Sequence, residues 1–165
     1  MKNIALIANA DKDKNEKTKL NEELIILKEQ VKEEYSQILR INSDHYETLL
    51  NFGVYEAREG HLEEAEKLFN QALKIKEGDF TLFFNMGNIQ LKWQKIKNAI
   101  DFYEKAINII GIENTTVKIL VPYMVALCKI DEWPKVEKVT RRILKLDKKN
   151  MKALAMFTRS LRENR

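Results

Sequence analysis

The sequence predicts an all-α protein in which about eight helices form a solenoid of antiparallel pairs. A block of the sequence recurs after 34 residues, and apolar side chains return at helical spacings of three and four within it. A period of that length is typical of stacked units that bury their apolar faces against one another. The 165-residue chain is 44% hydrophobic and 33% charged, which is the composition of a soluble globular domain.

The repeat keeps its register without a gap. Residues 52–75, FGVYEAREGHLEEAEKLFNQALKI, align with residues 86–109, MGNIQLKWQKIKNAIDFYEKAINI. Glycine inside a helix costs about 1 kcal/mol relative to alanine, so its recurrence predicts that a neighbouring helix approaches closely there. Gly60 falls where the first helix must end and the chain reverses. The matched pairs are Gly53 and Gly87, Ala65 and Ala99, Phe69 and Tyr103, and Ala72 and Ala106.

The elements outside this block have their own signals. Apolar side chains return at steps of three or four from Leu20 to Ile38, which predicts a helix before the repeats. The polar stretch ADKDKNEK precedes it and predicts a mobile linker. In chain order, the predictions are a mobile segment at 1–18 and one domain at 19–165, comprising a lone helix at 19–41, repeats at 46–79, 80–113 and 117–150, and a partial repeat or capping helix at 151–165.

The third repeat lacks the small residues that mark the first two. Met124 stands in place of the glycine and Val136 in place of the first alanine, which predicts a wider helix pair. Pro134 suits the first turn of the second helix. Pro122 lies inside the predicted first helix, where its missing N–H predicts a kink or a delayed helix start.

This pattern resembles the tetratricopeptide repeat family, whose units carry a large apolar residue, Leu-Gly and an aromatic, then Ala, an aromatic and Ala. The resemblance implies a right-handed superhelical solenoid whose first helices line a concave groove. It also implies a protein–protein interaction adaptor or scaffold that binds a peptide or an amphipathic helix of a partner protein. The departures from the family pattern are Leu49 and Phe83 for tryptophan, Glu56 and Gln90 for tyrosine, and Glu77 and Gly111 for the closing proline.

No set of reactive side chains indicates an enzyme. Cys128 is the single cysteine, His45 and His61 are isolated, and neither a phosphate-binding glycine loop nor a His-Glu-x-x-His motif is present. We therefore expect no catalytic residue, no metal and no cofactor, and we expect His61 to be a solvated loop residue. The absence of a disulfide, a signal peptide and a membrane span predicts an intracellular, cytoplasmic protein.

A second apolar stripe on the predicted first helices marks a candidate binding groove, because the resembled family uses this face for recognition. Its apolar members would anchor the partner, and its polar members would orient polar or acidic groups of the partner. Further polar positions on this face include Glu47, Arg58, Lys92 and Lys129. The predicted groove residues are Leu50, Val54, Phe84, Asn88, Leu91, Lys118, Val121, Val125, Lys152 and Arg159.

Other interpretations of the groove stay open. The stripe also fits ordinary packing between repeats. A structural module is a further interpretation, either a fragment of a larger protein or a scaffold that self-associates or fills its groove with the segment NIALIANA. Chaperone adaptors of the resembled family clamp C-terminal carboxylates, and Asn88 and Lys152 match two of the five clamp residues. Phe84, Pro122 and Met156 replace the other three, which weakens this interpretation.

A separate basic face is predicted near the C-terminal end. It could bind an acidic partner, RNA or an anionic membrane surface, although the lack of interleaved aromatic side chains disfavours nucleic acid. A solvated surface is the simpler interpretation. Its residues are Lys138, Arg142, Lys145, Lys148 and Lys149.

Overall fold

The structure, a computed structural model, describes the backbone of residues 2–164 and the side chains of residues 16–164. Over these residues the fold is all-α with no strand, which confirms the predicted class. A short 3₁₀ helix at Ile112–Asn114 lies between the fifth and sixth α-helices. The α-helices are α1 (Lys2–Ile41), α2 (Tyr46–Glu59), α3 (Leu62–Ile75), α4 (Phe80–Lys92), α5 (Ile96–Ile110), α6 (Val117–Cys128), α7 (Trp133–Leu146) and α8 (Met151–Glu163).

The chain divides into two compact units, residues 1–48 and residues 49–165. In the first unit, α1 spans Lys2–Ile41 and includes the helix predicted at 19–41. The mobility of residues 1–18 stays a prediction. The prediction that the segment NIALIANA fills a groove depends on side chains that lie outside the described residues. The described part of α1 exposes large apolar side chains, including Leu20 and Leu24.

The second unit stacks helix pairs around a continuous core. α3 packs on α4, α4 on α5, α5 on α6, α6 on α7 and α7 on α8. The core runs from Phe84 on α4 through Tyr103 and Met124 to Ala153 on α8. Helices α5, α6 and α7 each contribute an apolar stripe to it at spacings of three and four, as expected for amphipathic helices in a repeat array.

The two helical glycines leave room for an aromatic ring. A Cβ atom on Gly53 would lie 2.4 Å from Cε1 of Phe69, and one on Gly87 would lie 2.7 Å from Cε1 of Tyr103. Both rings are fully buried. The close approach predicted from the glycines is therefore made by the aromatic residue of the second helix. The alanines Ala65 and Ala99 are fully buried.

The first helices of the three pairs end in the same way. A residue one to three positions after each helix end adopts a left-handed conformation, with φ of 94° at Gly60, 59° at Gln94 and 56° at Asp131. The next amide then donates to a carbonyl five residues earlier, a bond that satisfies an otherwise unpaired helix end. These bonds are His61 to Glu56 at 2.9 Å, Lys95 to Gln90 at 2.9 Å and Glu132 to Leu127 at 3.2 Å.

Two polar residues stand where the resembled family has a tyrosine in its first helix, and both are buried with partners. The Glu56 carboxylate is fully buried and lies 2.5 Å from Nδ1 of His61. Gln90 donates to Glu66 at 2.8 Å. His61 is therefore a partner of a buried carboxylate as well as a solvated turn residue, because a buried carboxylate needs a hydrogen-bonding group beside it.

The third pair differs from the second in its packing, and the wider separation of its two helices stays a prediction. Met124 and Val136 are both fully buried, and α6 approaches α7 at fewer positions than α4 approaches α5. Helix α6 begins at Val117, so the delayed start predicted from Pro122 is wrong. Since proline has no N–H, the carbonyl of Lys118 has no amide partner four residues later. The predicted kink stays a prediction.

Candidate functional site: a cation-lined groove

A groove of about 800 Å³ runs along the second unit. Its lining comes mainly from α2, α4 and α6, with a contribution from the start of α8. These are the first helices of successive pairs, which the stacking of repeats brings side by side on one surface. The groove is therefore a product of the repeat architecture, in which positions 34 residues apart in sequence become neighbours.

Eight of the ten predicted groove residues line it, and two do not. Leu50 is buried with 8% of its surface exposed. The Arg159 guanidinium lies over the Trp133 ring, 4.6 Å from its centroid. The eight that line the groove are Val54, Phe84, Asn88, Leu91, Lys118, Val121, Val125 and Lys152.

The groove floor is apolar and partly accessible. Phe84 is 8% exposed and belongs to the core, where its ring centroid lies 6.1 Å from that of Tyr103. Val54, Val121 and Val125 are half-buried, so part of each side chain faces the groove. The stripe thus serves both as packing between repeats, at Phe84, and as an accessible apolar surface, at the three valines.

The rim of the groove is basic. Five cationic side chains and no carboxylate line it: Arg58, Lys92, Lys118, Lys129 and Lys152. Lys92 donates to the Ala57 carbonyl at 2.6 Å, and Lys129 donates to Oε1 of Gln94 at 3.2 Å. Arg58, Lys118 and Lys152 form no ion pair with any described carboxylate. A one-sign rim around an apolar floor focuses the electrostatic potential into the groove.

One polar groove residue is held in a defined orientation. The Tyr103 hydroxyl donates to Oδ1 of Asn88 at 2.8 Å. Burial raises the pKa of Tyr103, so this hydroxyl stays a donor. With its oxygen occupied from below, Asn88 offers its amide N–H groups to the groove, and these suit a carbonyl or carboxylate oxygen.

The structure adds groove residues that sequence reasoning did not select as binding residues. Asn85 and Pro122 line the groove, each three residues before a predicted member on the same helix, Asn88 or Val125. That i, i+3 relation was the available signal. Arg58 and Lys92 are related by the 34-residue period, so a cation recurs at the end of the first two first helices.

Comparison with known proteins agrees with the fold. The family model described as tetratricopeptide repeat matches residues 46–79 and 80–111. These two stretches, which form the α2–α3 and α4–α5 pairs, are similar to tetratricopeptide repeats. Comparison with curated proteins finds no match.

Solved structures of tetratricopeptide repeat proteins share this fold at low sequence identity. YrrB, described as having an unusual peptide-binding site, superposes with a TM-score of 0.72 and 19% identity, covering 79% of this chain and 66% of its own. MamA gives a TM-score of 0.65 at 14% identity, covering 79% of this chain and 84% of its own. The Arabidopsis OM64 TPR domain gives a TM-score of 0.62 at 19% identity, and the match covers 71% of this chain and 94% of the OM64 chain.

The predicted basic outer face of this repeat protein is smaller than expected. Lys138, Lys145, Lys148 and Lys149 are exposed. Arg142 is only 13% exposed at its side chain, where it pairs with the Glu113 carboxylate at 3.1 Å and also donates to the Glu113 carbonyl. Arg142, on α7, is therefore not part of an open basic face, because its guanidinium is already paired with Glu113 in the connection between α5 and α6.

A second, smaller cavity of about 400 Å³ lies against α5 and α7. Lys135 and the Tyr123 hydroxyl both donate to Oε1 of Glu104 at 2.8 Å. Partial burial acts to raise the pKa of Glu104, but these two hydrogen bonds outweigh it and lower the pKa. Burial and the bond to Glu104 raise the pKa of Tyr123. The network joins three helices and is satisfied internally.

The lone cysteine lies beside the groove. The Cys128 thiol is half-buried and 3.7 Å from Sδ of Met156. Burial raises the pKa of this thiol, against the opposing influence of Arg159 and Lys152. A raised pKa keeps the thiol protonated and weakly nucleophilic. The position suits a packing role.

Among the described side chains, no group of three or more His, Cys, Asp or Glu residues is placed to hold a metal ion. Within the same part of the chain, every helix is too short or too polar to cross a membrane.

Proposed function

We propose that the protein is a non-catalytic interaction adaptor or scaffold whose groove binds an amphipathic segment of a partner, one that combines apolar side chains with carboxylates. The observation that carries this proposal is the composition of the groove, an apolar floor with five basic side chains and no carboxylate around it. We place this activity in the cytoplasm, in line with the single cysteine.

The apolar floor supplies affinity. Burial of apolar surface stabilises a complex by about 25 cal/mol per Å² before the costs of association. Val54, Val121 and Val125 retain exposed surface that a ligand would cover. All three valines lie on helices of the second compact unit.

The basic rim supplies selectivity for acidic segments. Lys118 and Lys152 form no ion pair with a described carboxylate, so a ligand carboxylate replaces water there rather than breaking an existing pair. Charged groups around an interface mainly set orientation and association rate. Asn88, oriented by Tyr103, adds donors for a ligand oxygen. The fold shared with YrrB, a protein described as having a peptide-binding site, supports a peptide ligand here.

Fluorescence anisotropy with a designed probe tests the proposal. The probe is a labelled peptide with leucines at i, i+3, i+4 and i+7 and glutamates between them, and the control peptide carries lysines in place of the glutamates. We expect the acidic probe to bind and the basic probe not to bind. Equal binding of the two peptides would contradict the role given to the rim.

Paired variants locate the binding surface. Lys118→Glu with Lys152→Glu reverses two charges inside the groove, and Lys148→Glu with Lys149→Glu makes the same change outside it. The first variant should weaken binding of the acidic probe at least tenfold, whereas the second should leave it nearly unchanged. Equal weakening would mean that net charge, rather than the groove, attracts the probe.

A third variant tests the floor and the choice of partner. Val54→Glu with Val125→Glu should abolish probe binding while circular dichroism and the melting temperature show an intact fold. Proteins captured from lysate by the intact chain and by the Lys148→Glu, Lys149→Glu control, but not by this variant, are groove ligands. If a chaperone tail peptide binds only with its free C-terminal carboxylate, the carboxylate-clamp interpretation replaces the amphipathic one.

A further inference from the structure

One face of α1 has the chemistry that the groove requires. Glu22, Ile25, Ile26 and Glu29 follow one another at spacings of i, i+3, i+4 and i+7, which places them on one side of the helix. Ile25 is 61% exposed and Ile26 is 57% exposed. Both glutamates are exposed. We refer to these four residues as the acidic-apolar face of α1.

The exposure of this face calls for a partner. Single exposed apolar residues are ordinary on protein surfaces, but contiguous exposed apolar side chains mark interaction sites. Leu24 and Leu27, which flank the two isoleucines in sequence, are also 49% and 56% exposed. This stretch of α1 therefore presents apolar side chains on more than one side of the helix.

The two surfaces are complementary in charge and in polarity. The groove has an apolar floor, five cations and no carboxylate. The acidic-apolar face has two adjacent isoleucines between two carboxylates one helical turn away on either side. An amphipathic helix laid into an apolar groove is a common recognition mode, with anchors at i, i+3, i+4 and i+7.

We propose that the acidic-apolar face of α1 in one copy of the chain docks into the groove of a second copy. This inference rests on the proposed function, since it names a second copy as the partner of that groove. The contact is heterologous, because a helix face of one copy meets a groove of the next. Such contacts build open chains, which leave one groove and one helix face unused at their ends, or rings, which leave none unused.

Light scattering of the full chain over a range of concentrations gives the first measurement. We expect the average mass to rise above the 19.4 kDa of one chain as the concentration increases. The groove variant Val54→Glu, Val125→Glu and the helix variant Ile25→Gln, Ile26→Gln should each stay monomeric. Glutamine keeps helix propensity close to that of isoleucine or better, so the helix variant preserves α1.

Mixing the two variants tests the heterologous contact itself. The groove variant retains its helix face, and the helix variant retains its groove, so the mixture can make one contact and no more. We expect the mixture to form a dimer of twice the monomer mass, which also shows that both variants are folded. A mixture that stays monomeric, or a wild-type chain that stays at 19.4 kDa at every concentration, would overturn the proposal.

A matched variant on another side of α1 separates this contact from symmetric pairing of two α1 helices. Leu24→Gln with Leu27→Gln changes two neighbouring exposed leucines and leaves Ile25 and Ile26 in place. It should self-associate like the wild type. Loss of association in this variant, with association retained in the groove variant, would indicate pairing of α1 helices and contradict the groove contact.

A peptide experiment distinguishes failure of this inference from failure of the proposed function. A labelled peptide of residues 18–33 should bind the helix variant, whose own face no longer competes, and should not bind the groove variant. If this peptide fails while the designed acidic probe binds, the groove is a binding site for another partner and only the present inference falls. If both peptides fail, the proposed function falls as well.

Discussion

Replacing Gly53 by alanine tests the packing that generates the repeat. On helix propensity alone, the change should stabilise α2 by about 0.5–1 kcal/mol. The new Cβ atom, however, would lie 2.4 Å from Cε1 of Phe69, and that ring is fully buried. Carbon atoms pack at about 3.5–4.0 Å, so the ring or the helix must move by about 1 Å.

Overpacking of this kind costs about 1–3 kcal/mol, which exceeds the gain in propensity. We expect a net loss of about 1–2 kcal/mol and a fall in melting temperature of about 2–8 °C, since 1 kcal/mol corresponds to about 2–4 °C for a domain of this size. Thermal unfolding followed by circular dichroism at 222 nm measures this fall in melting temperature. Asn51→Ala, at an exposed position of the same helix, is the control and should be neutral or stabilising.

The double variant Gly53→Ala, Phe69→Leu tests the mechanism, because leucine removes the ring that the Cβ atom meets. Adding Gly53→Ala to the Phe69→Leu background should cost less than adding it to the wild type, and it should become neutral or stabilising. A rise in melting temperature for Gly53→Ala in the wild-type background would show that the ring does not require the glycine, and the packing argument would fail.

Three further predictions concern the groove and the network behind it. Tyr103→Phe removes the donor to Asn88 and should lower both stability and probe affinity by about 0.5–1.5 kcal/mol, measured by melting and by anisotropy. Because the folded-state pKa of Glu104 is lowered, its carboxylate stabilises the fold near neutral pH, and that contribution is lost as the pH falls through the folded pKa. The melting temperatures of the wild type and of Glu104→Gln should therefore converge in acid. A difference in melting temperature that stays constant with pH would contradict this. Affinity for the acidic probe should fall between about 0.1 M and about 1 M NaCl, as the Debye length shortens from about 10 Å to about 3 Å, and salt-independent binding would remove the basic rim from the mechanism.

Much of the fold could be predicted from the sequence because a repeat array depends on local signals. The glycine, alanine and aromatic residues at matched positions, and the glycine at the first turn, report contacts within a helix pair. Those contacts recur after 34 residues, so residues 52–75 and 86–109 of this one sequence can be compared with each other. Eight of the ten predicted groove residues line the groove for the same reason, since stacking places equivalent first-helix positions side by side.

The errors came from positions where a side chain has a choice of partner. Sequence periodicity places Arg142 on an outward face, but Glu113 lies close enough to bind it and draws it into a half-buried pair. Leu50 and Arg159 have the right helical spacing for the groove, yet one is buried and the other lies over Trp133. The spacing of residues predicts the direction in which a side chain leaves the helix axis. It does not predict which residues of other helices or loops the side chain meets there.

The sequence by itself thus determined the helix pairs, their period and the face that forms the groove, because each follows from contacts between residues close together in the chain. Only the tertiary structure decided which cations line the groove and that no carboxylate lies among them. It also decided how Tyr103 orients Asn88, and that the rings of Phe69 and Tyr103 occupy the space left by the glycines. Those features depend on distances between side chains of different helices, and those distances are set only when the helices have packed.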